Sequence, residues 1–129
     1  MSVTRTANVR RGPDHFEPDA SDDPHAQRRL RGQLEHIDYT VFAANREVIS
    51  AMLGHADAGG FQRLAVACAA ARAQWVAAAL KATEDGPKVG PAATARLGEL
   101  RRAYEELSEA YEAMRRMVER GYLPFRAEG

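Results

Sequence analysis

The residues of this sequence best suited to chemistry lie close together at Glu35, His36 and Asp38. Carboxylates and imidazoles bind metal ions, and helical di-iron proteins use Glu-x-x-His pairs whose side chains lie one turn apart on one helix face. The sequence contains no Glu-x-x-His pair, and neighbouring residues of a helix point in different directions. We therefore predict no metal site and no cofactor.

Candidate nucleophiles are few and lack an obvious activating base. Cys68, the single cysteine, lies among alanines, where burial would disfavour its thiolate. Ser50 and Ser108 are isolated. The run Asp57-Ala58-Gly59-Gly60 precedes a predicted helix, but it lacks the lysine and the strand of a phosphate-binding loop. We predict no catalytic residue and favour a protein that is not an enzyme.

The chain reads Leu30-Arg31-Gly32-Gln33-Leu34-Glu35-His36-Ile37-Asp38 and then Asn45-Arg46-Glu47. This segment resembles the first helix of the all-helical chorismate mutases, which carry Leu-Arg, then Ile/Leu-Asp, then a second arginine. The resemblance implies a small dimeric three-helix enzyme whose substrate carboxylates are bound by Arg31 and Arg46.

The chain departs from that family at two places. Val48 occupies the position of the family's second arginine, and a glycine-rich break replaces a lysine expected beyond it. We therefore do not assign the chain to the family. A ligand-binding or enzymatic bundle with an interior pocket, using Arg31, His36 and Arg46, remains a second hypothesis.

The overall charge predicts no attraction to a polyanion. The chain has 18 acidic and 18 basic residues, so no global field draws it to nucleic acid or anionic lipid. A third hypothesis is nucleic-acid contact by the N-terminal tail through Arg5, Arg10 and Arg11. Acidic residues between Asp14 and Asp23 would oppose such contact, and we do not favour nucleic acid as a partner.

Three long helices must position all of these side chains, and we predict them at about 24–54, 60–83 and 91–120. Asp23-Pro24 starts the first helix, because aspartate accepts from free amides and proline fits the first position. Its apolar residues are spaced alternately by four and three, which is typical of a heptad pattern. This heptad seam consists of Leu30, Leu34, Ile37, Val41, Ala44, Val48 and Ala51.

The second and third helices carry three further seams. The Phe61 seam consists of Phe61, Leu64, Cys68, Ala71, Trp75 and Ala78. The Val66 seam consists of Val66, Ala69, Ala73, Val76 and Leu80. The Leu97 seam consists of Leu97, Leu100, Tyr104, Leu107, Tyr111, Met114 and Val118. Two seams on the second helix predict burial on two sides, as in a central helix.

These elements predict an all-α fold, an antiparallel up-down-up three-helix bundle over residues 23–125, after a disordered tail over residues 1–22. The most apolar stretch, 64–80, is rich in alanine and contains Arg72, so we predict no membrane segment. A single cysteine and the lack of an apolar run near the first residue favour the cytoplasm.

The remaining hypothesis, which we favour, is a helical interaction protein such as an adaptor, an assembly factor or a chaperone-like subunit. It would self-associate, with a homodimer as the simplest form, or dock on a larger protein. The candidate partner-binding residues are large apolar side chains beside the heptad seam and past the last helix: Tyr39, Phe42, Tyr122, Leu123 and Phe125. Capping of the bundle end by the last three is the alternative.

Overall fold

The computed structural model describes residues 23–127 and shows an all-α protein. Helix α1 spans Pro24–Leu53, α2 spans Ala58–Ala82 and α3 spans Pro91–Glu119. All three lie within two residues of their predicted bounds. Two short strands, β1 at Ala56–Asp57 and β2 at Phe125–Arg126, form one parallel pair. The predicted disordered tail, residues 1–22, lies outside the described residues.

The chain divides into two compact units, residues 1–43 and residues 44–129. The described part of the first unit is the N-terminal part of α1. Its start is the predicted one: the Asp23 carboxylate accepts a 3.0 Å hydrogen bond from the amide of His25, and Pro24 occupies the first helical position. None of the α1 residues is buried.

The second unit is organised by the packing of α2 against α3. Phe61 meets Tyr111 edge to face at 5.5 Å between ring centroids, and Trp75 stacks on Tyr104 at 6.1 Å. The later residue of α2, Trp75, contacts the earlier residue of α3, Tyr104, so the two helices are antiparallel. All members of the Phe61 and Leu97 seams are buried or half-buried, as expected for facing seams.

The Val66 seam differs from its prediction. All five of its residues are exposed among the described residues, so α2 is covered on one side and is not the centrally buried helix expected from its two seams. The spacing of apolar residues shows which faces of a helix can be buried, whereas a partner surface decides which face is buried. The up-down-up order of all three helices stays a prediction.

The chain after α3 folds back as its residue types indicate. Gly121 has φ 79°, and the amide of Tyr122 bonds to the carbonyl of Met117 at 2.8 Å, which is the pattern of a glycine-capped helix end. Leu123 is then only 1% exposed. The Ala56 amide donates a 2.8 Å hydrogen bond to the Pro124 carbonyl, and this tie places β2 beside β1.

Candidate functional site

The main candidate site is the exposed apolar surface of α1. The five large members of the heptad seam, Leu30, Leu34, Ile37, Val41 and Val48, are between 50% and 56% exposed, and both alanines of the seam are exposed as well. A continuous stripe of large apolar side chains on one helix face is typical of a protein interface. The heptad seam therefore has the composition and the accessibility of a docking surface.

The partly covered face of α1 is a different one from the heptad seam. Phe42, Asn45 and Ile49 are half-buried and lie three to four residues apart on one side of the helix. The sequence pattern ranked the heptad seam first, because its spacing is the more regular. Phe42 and Ile49 were visible in the sequence only as a widening of that apolar face.

The Val66 seam of α2 is the second exposed apolar surface. Val66 is 61% exposed, Val76 48% and Leu80 67%, and the alanines between them keep the surface flat and allow a close approach of another backbone. This surface lies on the side of α2 opposite to the aromatic contacts with Tyr104 and Tyr111. Among residues 23–127, each of the first two helices thus has a full apolar face that remains accessible.

The predicted partner-binding residues differ in how exposed they are. Tyr39 is 69% exposed and Phe125 is 49% exposed, whereas Phe42 and Tyr122 are half-buried. Phe125 also lies 6.3 Å from Phe61, measured between ring centroids. The Leu123 side chain is buried in the core of its own unit, so the expectation that it binds a partner is wrong: it offers no surface to one.

The residues of the ligand-binding hypothesis all lie on α1. Arg31, His36 and Arg46 are all exposed. Arg31 and His36 belong to the first compact unit, whereas Arg46 belongs to the second. Their role in binding a ligand stays a prediction.

The groove between α2 and α3 is a site that the sequence did not indicate. It has a volume of about 390 Å³ and is lined by Ala65, Cys68, Ala69, Arg72, Tyr104, Ser108, Tyr111 and Glu112. The Arg72 guanidinium carbon lies 5.3 Å from the centroid of the Tyr104 ring, a cation–π contact. The signal was present in the sequence only as a polar residue, Arg72, next to the Phe61 seam.

The chemistry of this groove is limited by its residue types. Cys68 is half-buried, and the lining holds no histidine and no second thiol. The aromatic stack of Trp75 on Tyr104 occupies the adjoining part of the same helix interface. This stack is a helix-packing contact.

The start of α2 holds the most polar arrangement of the described residues. The Asp57 carboxylate caps the helix by accepting a 2.7 Å hydrogen bond from the Gly60 amide. This hydrogen bond, together with the charges of His55 and Arg63, lowers the pKa of Asp57 below its ordinary value against the opposing effect of burial. Asp57, which the sequence places directly before a predicted helix, therefore acts as the N-cap of α2.

His55 lies beside this cap. Its Nε2 is 3.4 Å from an Asp57 carboxylate oxygen, and this nitrogen is buried with no well-aligned hydrogen-bond partner. Among the described residues no group of three histidine, cysteine, aspartate or glutamate side chains could hold a metal ion. The pair is therefore described as a helix cap with a neighbouring imidazole.

Helix α2 is long and apolar enough to cross a membrane, judged by length and composition only. The helices at the centre of soluble proteins meet the same criterion, so this property is weak evidence. One face of α2 packs on α3 through Phe61 and Trp75.

Comparison with known proteins found no match: no protein-family model, no curated protein and no solved structure is similar to this chain.

Proposed function

We propose that this protein is a non-enzymatic helical interaction protein, an adaptor, assembly factor or chaperone-like subunit that acts by burying apolar helix faces against a second protein chain. The observation that carries the proposal is the exposure of the heptad seam, whose five large side chains are each at least 50% exposed. Self-association is the simplest form of this function, with a homodimer as its product.

The small core of the single chain supports the same proposal. The buried apolar residues among residues 23–127 are Ala56, Ala71 and Leu123, while twelve large hydrophobic residues are exposed. Hydrophobic burial is the main stabilising contribution to folding. A chain with so little buried apolar surface would be stabilised by a partner that covers its exposed seams.

The expected strength of association follows from the exposed area. Covering the exposed half of a large apolar side chain stabilises a complex by roughly 0.8–1.5 kcal/mol, half of the usual value for full burial. Four such side chains from each of two chains supply about 6–12 kcal/mol, against about 4–15 kcal/mol for lost freedom on association. We therefore expect a dissociation constant in the micromolar range or weaker.

The up-down-up order of the helices is part of the proposal. The short connection from Gly54 to Asp57 favours an antiparallel arrangement of successive helices, and α2 and α3 already have this relation through the contacts of Phe61 and Trp75.

We further propose that the protein acts in the cytoplasm and uses α2 as a protein interface. Arg63, Arg72 and Lys81 are distributed along this helix, and an arginine at the centre of a membrane span costs about 2.5–3.5 kcal/mol on insertion scales. The single cysteine fits a reducing compartment.

The test is sedimentation velocity of the full chain at concentrations from ~1 to ~100 μM. We expect the wild-type protein to associate with rising concentration and the Leu34→Glu/Ile37→Glu variant to remain monomeric. The matched control is His36→Glu/Arg46→Glu, which places two glutamates on α1 outside the heptad seam and should associate like the wild type. Wild-type protein that stays monomeric throughout would overturn self-association.

A further inference from the structure

The flanks of the heptad seam carry charges that determine how two copies of α1 can pair. One flank consists of the residues that follow Leu30, Ile37 and Ala44 in the sequence, namely Arg31, Asp38 and Asn45. The other flank consists of Gln33, Thr40 and Glu47. Arg31 and Asp38 are exposed, and neither makes an ion pair with another residue among 23–127. Their charges are therefore accessible to a second chain.

A parallel pair of α1 helices would bring no opposite charges together. In that arrangement each residue of one flank faces a residue of the other flank on the second helix. Gln33 would then lie near the partner's Asp38, and Thr40 near the partner's Asn45. Each of these contacts includes at least one neutral side chain, so electrostatic attraction does not favour a parallel pair.

An antiparallel pair brings like flanks together, so that Arg31 faces the partner's Asp38. The two-fold symmetry of such a dimer produces this contact twice. In the same register Leu34 packs against the partner's Ile37, and Leu30 against the partner's Val41. All four inner layers then consist of large aliphatic side chains, each of which is about half exposed in the single chain.

Only one antiparallel register pairs Arg31 with the partner's Asp38. A shift by one heptad in one direction places Asp38 opposite the partner's Asp38, and a shift in the other direction places Arg31 opposite the partner's Arg31. Like charges in such positions disfavour these two registers electrostatically. The residues that define the favoured register, Leu30 to Val41, all belong to the first compact unit.

We propose that the Leu30–Val41 part of the heptad seam is covered by a second copy of this chain, whose α1 helix runs antiparallel in the register that pairs Arg31 with the partner's Asp38. This inference rests on the proposed function, because it names the occupant and the geometry of the same surface. It adds a residue-level basis for specificity, in which two charges on one flank select orientation and register.

Charge reversal tests the contact in the full-length protein. Arg31→Glu alone and Asp38→Arg alone each turn both attractive contacts into repulsive ones, and we expect the dissociation constant to rise roughly tenfold. The double variant Arg31→Glu/Asp38→Arg should associate like the wild type. An equimolar mixture of the two single variants should also recover association as a heterodimer, because each chain then carries the charge that the other lacks.

Disulfide trapping tests orientation independently. In a Cys68→Ala background, chains with Leu30→Cys and chains with Val41→Cys are mixed and oxidised. The proposed register predicts a disulfide between the two kinds of chain. Residues 30 and 41 lie about 16 Å apart along α1 at 1.5 Å per residue, so a parallel pair would instead link each variant to itself.

The outcomes separate the two proposals. Association that is lost in Leu34→Glu/Ile37→Glu but is unchanged by either charge reversal, with Leu30→Cys linking to itself, overturns the antiparallel register and leaves the proposed function standing. Wild-type protein that stays monomeric overturns the antiparallel pair and self-association, and it leaves docking on a different protein as the remaining form of the proposed function. Helical circular dichroism of each variant, measured in parallel, distinguishes lost pairing from lost folding.

Discussion

The Ser50 hydroxyl donates a 3.1 Å hydrogen bond to the main-chain carbonyl of Tyr122, which joins residues 72 positions apart in the sequence. Ser50 lies near the end of α1, and Tyr122 follows the last residues of α3. Together with the hydrogen bond from the Ala56 amide to the Pro124 carbonyl, this contact fastens the C-terminal segment beside the α1–α2 connection. The end of the second unit is therefore held by contacts between distant parts of the chain.

Ser50→Ala is expected to lower the free energy of unfolding by about 0.5–1.5 kcal/mol, the usual contribution of a single hydrogen bond. The partly buried Tyr122 carbonyl would lose a partner, which makes the loss unfavourable. Urea unfolding at one fixed protein concentration measures the effect. Thr94→Ala is the control, because its hydroxyl bonds only to the Gly90 carbonyl of its own first turn, and a change as large as that of Ser50→Ala would contradict the prediction.

Leu123→Ala is expected to lower the free energy of unfolding by about 2–5 kcal/mol, because removing a fully buried leucine side chain loses its burial and leaves a cavity. Leu123 is 1% exposed, whereas Phe125 is 49% exposed. Phe125→Ala therefore serves as a neighbouring control and should cost clearly less in the same urea unfolding experiment. Equal losses in the two variants would show that Leu123 does not anchor this segment.

Asp57 should make the stability of the protein depend on pH in the acid range. Its pKa is lowered below the ordinary value of 3.8, chiefly by the hydrogen bond from the Gly60 amide. A carboxyl group whose pKa is lowered by folding stabilises the folded state fully above its unfolded pKa, and this stabilisation is lost as the pH falls through the folded pKa.

The measurement is the melting temperature of the wild type and of Asp57→Asn, followed as the pH is lowered. Asparagine keeps an oxygen for the Gly60 amide but carries no charge, so the wild type should melt higher near neutral pH and the difference should shrink below pH 3.8. Asp85→Asn, an exposed position in the α2–α3 connection, should change little at any pH. A difference in melting temperature between the wild type and Asp57→Asn that stays constant across the acid range would contradict the lowered pKa of Asp57.

Replacing either of two glycines at α3 by alanine should change the stability of the protein, and the two changes should have opposite signs. Gly121 has φ 79°, a conformation that costs other residues about 1–2 kcal/mol, so Gly121→Ala should be destabilising by that amount. Gly98 lies within the helix with open space around it, so Gly98→Ala should stabilise by about 0.5–1 kcal/mol. Thermal unfolding followed by circular dichroism checks both, and the same sign for both would contradict the helix cap.

The α3 helix shows how far local patterns can predict this fold. Pro91 lies at its start, the Leu97 seam is half-buried along its length as predicted, and Gly121 with positive φ follows its end. Arg101 and Glu105, four residues apart on this helix, form an ion pair at 3.0 Å. These features depend on interactions between residues at most a few turns apart, and such interactions can be read directly from spacing and residue type.

The sequence by itself determined the helices, their bounds and the set of apolar faces, because backbone preferences and apolar spacing act locally. Only the tertiary structure decided which faces are covered: the Phe61 seam packs on α3 while the Val66 seam and the heptad seam remain accessible. The burial of Leu123 and the pairing of β1 with β2 were likewise decided there. Such contacts join residues far apart in the sequence, and they form only where the entropy of closing a long loop is offset by burial and hydrogen bonds.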